Sequence, residues 1–143
     1  MREENEAIFY SLYMLQTYLV MSQKQLLASE GQLQNLKKVE QRPHLLDDAL
    51  MDRAIKIHTE QNPMLWVSIE QCRKWREQSP NQEQLVDIDQ VEGNFKKLID
   101  VNEQIIALAQ EIKKGTIDSI MRKSDVEIGL EFIMNYQKYQ RNI

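Results

Sequence analysis

The sequence predicts an all-α fold, an elongated antiparallel (up-down-up-down) helical bundle. The 143 residues include only four glycines and three prolines, so turns are few and regular elements are long. Apolar residues recur at alternating spacings of four and three over long stretches, which is the period of an amphipathic helix. No stretch shows sustained period-two alternation, so we expect no strands.

Glycine and proline positions divide the bundle into two long helices and two broken arms, about five to six helices in total. Pro63 and Pro80 each follow a residue that caps helices well, and proline is favoured in the first helical turn. The predicted helices cover residues 3–40, 44–61, 63–78, 80–114, 117–123 and 125–141. One arm is hinged at Asn62–Pro63 and the other at Lys123–Ser124, so four arms result.

The first and fourth helices carry the clearest apolar seams. Leu15, Leu19 and Leu26 belong to the first seam, and Asn102 is the one polar member of the fourth. Further apolar residues widen both seams: Tyr13, Val20 and Leu27 in the first, Ile99 and Ile106 in the fourth. Stripes this broad favour a multi-helix bundle over a two-stranded coiled coil. The length favours one domain over residues 1–143.

Composition excludes several classes of function. With 42% hydrophobic and 28% charged residues the chain is expected to fold. Its net charge of -4 and scattered basic residues lack the positive footprint of a nucleic-acid-binding protein. The acidic start and the lack of a long apolar run predict neither a signal peptide nor a membrane span. A single cysteine, Cys72, is typical of a cytoplasmic protein.

No catalytic, cofactor-binding or metal-binding motif is found in the sequence. Gln41 and Ile55 stand three residues before the two histidines, His44 and His58, so the Glu-x-x-His pairs of di-iron bundles are missing. The four glycines are scattered and form no phosphate-binding loop. Asp48, four residues after His44, is more simply a first-turn carboxylate that interacts favourably with the helix dipole.

The last helix carries the strongest sign of a binding surface. Val126, Leu130 and Ile133 share one face, and Ile128, Phe132 and Tyr139 share the opposite face. One neighbouring helix cannot cover both faces. The second face is therefore expected either to meet another chain or to pack under the hinges of its own bundle.

Trp75 and Asn102 are two further candidate contact residues. Trp66 and Trp75 lie nine residues apart, on opposite sides of one helix, so both cannot face the same core. Trp75, among basic residues, is predicted to be partly exposed, either as a contact anchor or lying flat on the surface. Asn102 would either fix the association state by pairing between chains or bind side chains within one chain. On the seam alone, Asn102→Leu is expected to raise thermal stability.

These observations predict a non-enzymatic protein–protein interaction module. It is expected to be a homo-oligomer whose partner is a second copy of itself or another protein, and it would require no cofactor. One alternative is a secretion or assembly chaperone that holds an amphipathic helix of a client in an apolar groove. Another is a metal-binding or enzymatic bundle that uses Asp48, His44, His58 or Cys72 in an arrangement that sequence spacing does not reveal.

Overall fold

The structure, a computed structural model, describes residues 8–122 and 125–141. Its α-helices are α1 (Leu15–Val39), α2 (Asp48–Arg76), α3 (Gln82–Lys113), α4 (Ile117–Met121) and α5 (Asp125–Arg141). Single 3-10 turns at Leu12–Met14 and Pro43–Leu45 precede α1 and α2. No strand occurs in these ranges, and the predicted all-α bundle is confirmed.

Helix α3 is the centre of the bundle, and both α1 and α2 pack along it. Gln16 binds Asp87 and Asn94 binds Ser22, pairs that are 71 and 72 residues apart, so α1 and α3 run parallel. Asn102 binds Gln61 near the middle of α2, and Lys113 at the end of α3 pairs with Asp52 near its start. Helix α2 therefore runs antiparallel to α3.

The interior contains two apolar clusters. One cluster lies at the end of the bundle where α2 finishes, and it contains Leu15, Leu65, Cys72, Trp75, Ile88, Val91, Phe95, Leu98 and Ile99. The other lies where α2 begins, and it contains Leu33, Leu36, Met51, Ala54, Val101, Ile105, Ala109 and Ile112. Leu26 packs against both clusters, so the core is continuous along α1.

The first helix begins later than predicted. Residues 3–7 of the predicted helix lie outside the described residues, and α1 begins at Leu15. At Tyr10, hydrogen bonds to side chains of α2 replace helical ones. The backbone N–H of Tyr10 donates to Gln71 Oε1 at 2.6 Å. Its carbonyl accepts from Gln71 Nε2 at 3.1 Å and from Trp75 Nε1 at 3.0 Å. These bonds engage the backbone that would otherwise extend α1 toward the N-terminus.

The predicted break at Asn62–Pro63 is wrong, because α2 continues through it as one helix of 29 residues. Pro63 is exposed and lies on the side of α2 away from α3. The Thr59 carbonyl, which loses its helical donor there, belongs to an exposed residue and is accessible to water. Buried residues on both sides of Pro63, including His58 and Leu65, hold α2 against α3.

The last predicted arm divides into two parts with different environments. Helix α4 contacts α2 and the turn at Pro43–Leu45. Thr116 Oγ1 donates to Asp48 Oδ1 at 2.6 Å, Asp48 N–H donates to Asp118 Oδ2 at 2.7 Å, and Arg122 pairs with Asp48 at 2.6 Å. Helix α5 keeps its predicted bounds, but its described side chains are exposed except at Gly129. The predicted hinge at Lys123–Ser124 lies outside the described residues.

Within residues 8–122 and 125–141, no helix is long and apolar enough to cross a membrane.

Candidate functional site

Helix α5 exposes both of the faces predicted from the sequence. Ile128 and Phe132 are 42% and 72% exposed, and Leu130 and Ile133 on the other face are 56% and 53% exposed. Met134 and Tyr136 are also exposed. The side chain of Tyr139, the third predicted contact on this helix, lies outside the described residues. Six large apolar side chains on one short helix form a surface that water solvates poorly.

A groove lies between α1 and α2 on the side of the bundle away from α3. Helices α1 and α2 each pack on α3 but do not pack closely against each other. The groove has a volume of about 420 Å³. Its lining residues are Gln25, Ala28, Ser29 and Gln32 of α1 and Leu50, Arg53, Ala54, Ile57, His58 and Gln61 of α2. This position is the vacant fourth corner of a four-helix bundle, because a helix placed there would contact α1 and α2 but not α3.

An apolar stripe of α2 follows one edge of the groove. Leu50 and Ile57 line the groove, and Met64 continues the stripe with the same seven-residue spacing. Their exposed fractions are 46%, 53% and 71%. A seven-residue repeat keeps side chains on one line along a helix, which is how a partner helix is received. The predicted break at Pro63 had separated Met64 from the other two residues.

Gln25 contributes an unpaired polar atom beside the groove. Its Oε1 is buried and has no hydrogen-bond partner among the residues that the structure describes. A buried acceptor left unpaired costs roughly 1–3 kcal/mol, so such an atom needs a donor from elsewhere. Gln25 lines the groove, so a group that enters the groove can supply this donor.

The predicted exposure of Trp75 is wrong, and Trp66 is the exposed tryptophan of the pair. Trp75 is 0% exposed and packs edge-on against Tyr18 with 5.0 Å between ring centroids, whereas Trp66 is 57% exposed. The neighbouring arginines do not cover Trp75 from outside: Arg73 pairs with Glu70 and Glu77, and Arg76 pairs with Asp89 and Glu92. Trp75 is therefore a core residue.

Asn102 is fully buried, as the seam of α3 predicts, and it binds side chains of its own chain. Its Oδ1 lies 2.8 Å from His58 Nδ1, and its Nδ2 donates to Gln61 at 2.9 Å and to Asn62 at 3.2 Å. These bonds all run from α3 to the middle of α2. Of the two alternatives for Asn102, the structure therefore shows the one in which it binds side chains of its own chain. Its amide does not face another chain.

The outer face of α1 carries residues that were predicted to widen the buried seam. Tyr13, Val20 and Leu27, seven residues apart, are all exposed. Ser22 and Ser29 are buried in the seam, where the alternating spacing of four and three places them, and Asn94 Nδ2 donates to Ser22 Oγ at 3.1 Å. Helix α1 is thus apolar on its outer face, and small polar residues let it approach α3.

The residues of the metal or enzymatic alternative do not come together in the structure. His44 is exposed in the turn before α2, His58 is bonded to Asn102, and Asp48 is held by Thr116 and Arg122. The hydrogen bonds from Thr116 and Arg122 lower the pKa of Asp48. No group of three or more histidine, cysteine or acidic side chains in the described ranges is placed to hold a metal ion.

Cys72 lies at the far end of α2 from Asp48 and is completely buried. Burial, reinforced by the charge of Glu92, raises the pKa of its thiol to about 12. A thiol with so high a pKa carries almost no thiolate near neutral pH, and thiolate is the nucleophilic form. Cys72 is a packing residue of the core cluster around Trp75.

No protein-family model, curated protein or solved structure matches this chain.

Proposed function

We propose that this protein is a non-enzymatic protein–protein interaction module that associates with itself through α5. The observation that supports this most strongly is the exposure of Ile128, Phe132 and the other apolar residues of α5. Monomeric proteins rarely expose so many large apolar side chains on one helix, and apolar surface of this extent usually marks an interface. We place the module in the cytoplasm, because its one cysteine is a free, buried thiol.

Phe132→Glu tests this proposal by placing a charge at the most exposed large side chain of α5. Light scattering coupled to size-exclusion chromatography should show a multiple of the chain mass for the wild type and a shift toward one chain for the variant. Gln104→Glu is the matched control, since Gln104 is exposed on the outer side of α3. A wild-type protein that stays monomeric over the accessible concentration range would contradict the proposal.

A client-binding chaperone is the second candidate, and the groove between α1 and α2 is the observation that favours it. An amphipathic client helix would lay its apolar side along Leu50, Ile57 and Met64. Tagged protein expressed in its native host should then recover one dominant client at near-stoichiometric amount. Ile57→Glu should lose that client and Phe132→Glu should keep it, whereas equal recovery with both variants would argue against this candidate.

A further inference from the structure

We infer that the vacant fourth corner of the bundle is filled by α5 of a second copy, so that two chains exchange their last helices and each completes a four-helix bundle. This inference rests on the proposed function and adds the surface that α5 meets. The groove and α5 are the two apolar surfaces involved, and both belong to the same chain. A reciprocal exchange would cover both at once.

The dimensions of the two surfaces match. The 17 residues of α5 span about 25 Å at 1.5 Å per residue, and the stripe from Leu50 to Met64 spans about 21 Å. Phe132 and Tyr136 have roughly 150–250 Å² of surface each, of which 72% and 55% is exposed before association, so these side chains of two exchanged helices remove roughly 500 Å² from water. The groove residues opposite lose a similar area. The total of roughly 1,000 Å² is the lower bound for a specific interface, and the other apolar residues of α5 add to it.

Charge and hydrogen bonding are also complementary. Arg53 is the one charged residue among those that line the groove. Residues 125–131 of α5 carry three acidic side chains and no basic one. The same helix has an amide side chain at Asn135, three residues after Phe132 and on the same side of the helix, which can supply the donor that Gln25 Oε1 lacks.

The attachment of α4 favours the second copy over the chain's own α5. Asp48, which holds Thr116 and Arg122, lies two residues before Leu50 and therefore about 200° around α2 from the groove. From Arg122 to Asp125 the chain covers at most about 11 Å, which is about the width of one helix with its side chains. Helix α5 therefore leaves from the flank of α2 away from the groove, and a short connection of this kind favours exchange between chains.

Cross-linking between engineered cysteines tests the exchange. Differently tagged full-length Ile57→Cys and Phe132→Cys chains are unfolded together, refolded and treated with a short bismaleimide; buried Cys72 does not compete. We expect a cross-link between the two unlike chains. Gln104→Cys replaces Ile57→Cys in the matched control, which should give only background product because Gln104 lies on the outer side of α3.

The double variant Ile57→Cys with Phe132→Cys separates the possible occupants of the groove. A product between chains supports the exchange, whereas a product within one chain at low concentration shows that the chain's own α5 fills the groove and overturns it. Association without any product between residues 57 and 132 overturns the exchange and leaves the proposed function standing. A strictly monomeric protein without product overturns both.

Discussion

Asn102 binds three side chains, all of which come from the middle of α2. A buried amide whose donors and acceptors are all paired lowers the stability of the fold little. Removing it leaves its buried partners without hydrogen bonds, which lowers stability much more. The seam of α3 correctly predicted that residue 102 is buried. It did not reveal His58 and Gln61, which lie more than 40 residues earlier in the sequence.

Asn102→Leu is therefore predicted to lower the free energy of unfolding by about 1–3 kcal/mol, because it leaves buried groups without partners. This reverses the gain that the apolar seam alone implies. Chemical denaturation of wild type and variant measures the effect, and Gln104→Leu on the exposed side of α3 should change stability by no more than about 0.5 kcal/mol. A higher midpoint for Asn102→Leu would show that the network contributes nothing.

The exposure of the two tryptophans was predicted only in part. The spacing of Trp66 and Trp75 correctly implied that one of them faces away from the core. Choosing between them required the phase of the buried stripe, which contains Leu65 and Cys72. Basic neighbours were a poor guide, because Arg73 and Arg76 reach carboxylates beside them or on α3.

At the scale of elements, most helix positions follow from apolar periodicity, and the differences come from tertiary contacts. The bounds predicted for α5 agree with the structure, and those of α3 differ by two residues at its start and one at its end. The turn around Tyr10 depends on Gln71, 61 residues away, which no local pattern shows. The groove was missed because the last helix was expected to pack as the fourth arm of the same bundle.

Pro63→Ala is predicted to stabilise the protein by about 1–3 kcal/mol, because proline inside a helix removes a hydrogen bond and crowds the preceding turn. The position is exposed, so alanine creates no cavity. Thermal or chemical unfolding tests this, with Pro80→Ala as control because Pro80 lies outside the helices. A loss of stability at residue 63 would mean that the proline sets a bend that the bundle needs.

The attachment of α4 is predicted to weaken in acid. The pKa of Asp48 is lowered by Thr116 and Arg122, so its contribution is complete above its ordinary value near 3.8 and is lost as the pH falls through the lower, folded-state pKa. Asp48→Asn should be less stable than wild type at pH 6, and the gap should narrow below about pH 3.8. A gap that stays constant to pH 2 would exclude this carboxylate as the cause.

At the scale of the whole molecule, the predicted four arms become three packed helices with a vacant corner and a separate, exposed α5. The sequence predicts a bundle because several of its helices have apolar stripes. It does not indicate which of the apolar faces meet within one chain, because packing inside a chain and packing between chains depend on the same hydrophobic surfaces. The proposed function depends on whether the apolar faces of α5 meet their own bundle or another chain.

Hydrogen–deuterium exchange at several protein concentrations tests directly whether another copy covers α5. We predict that amides of α5 and of residues 50–64 become protected together as concentration rises, while the middle of α3 stays unchanged. Exchange in α5 that is fast and independent of concentration would contradict the account.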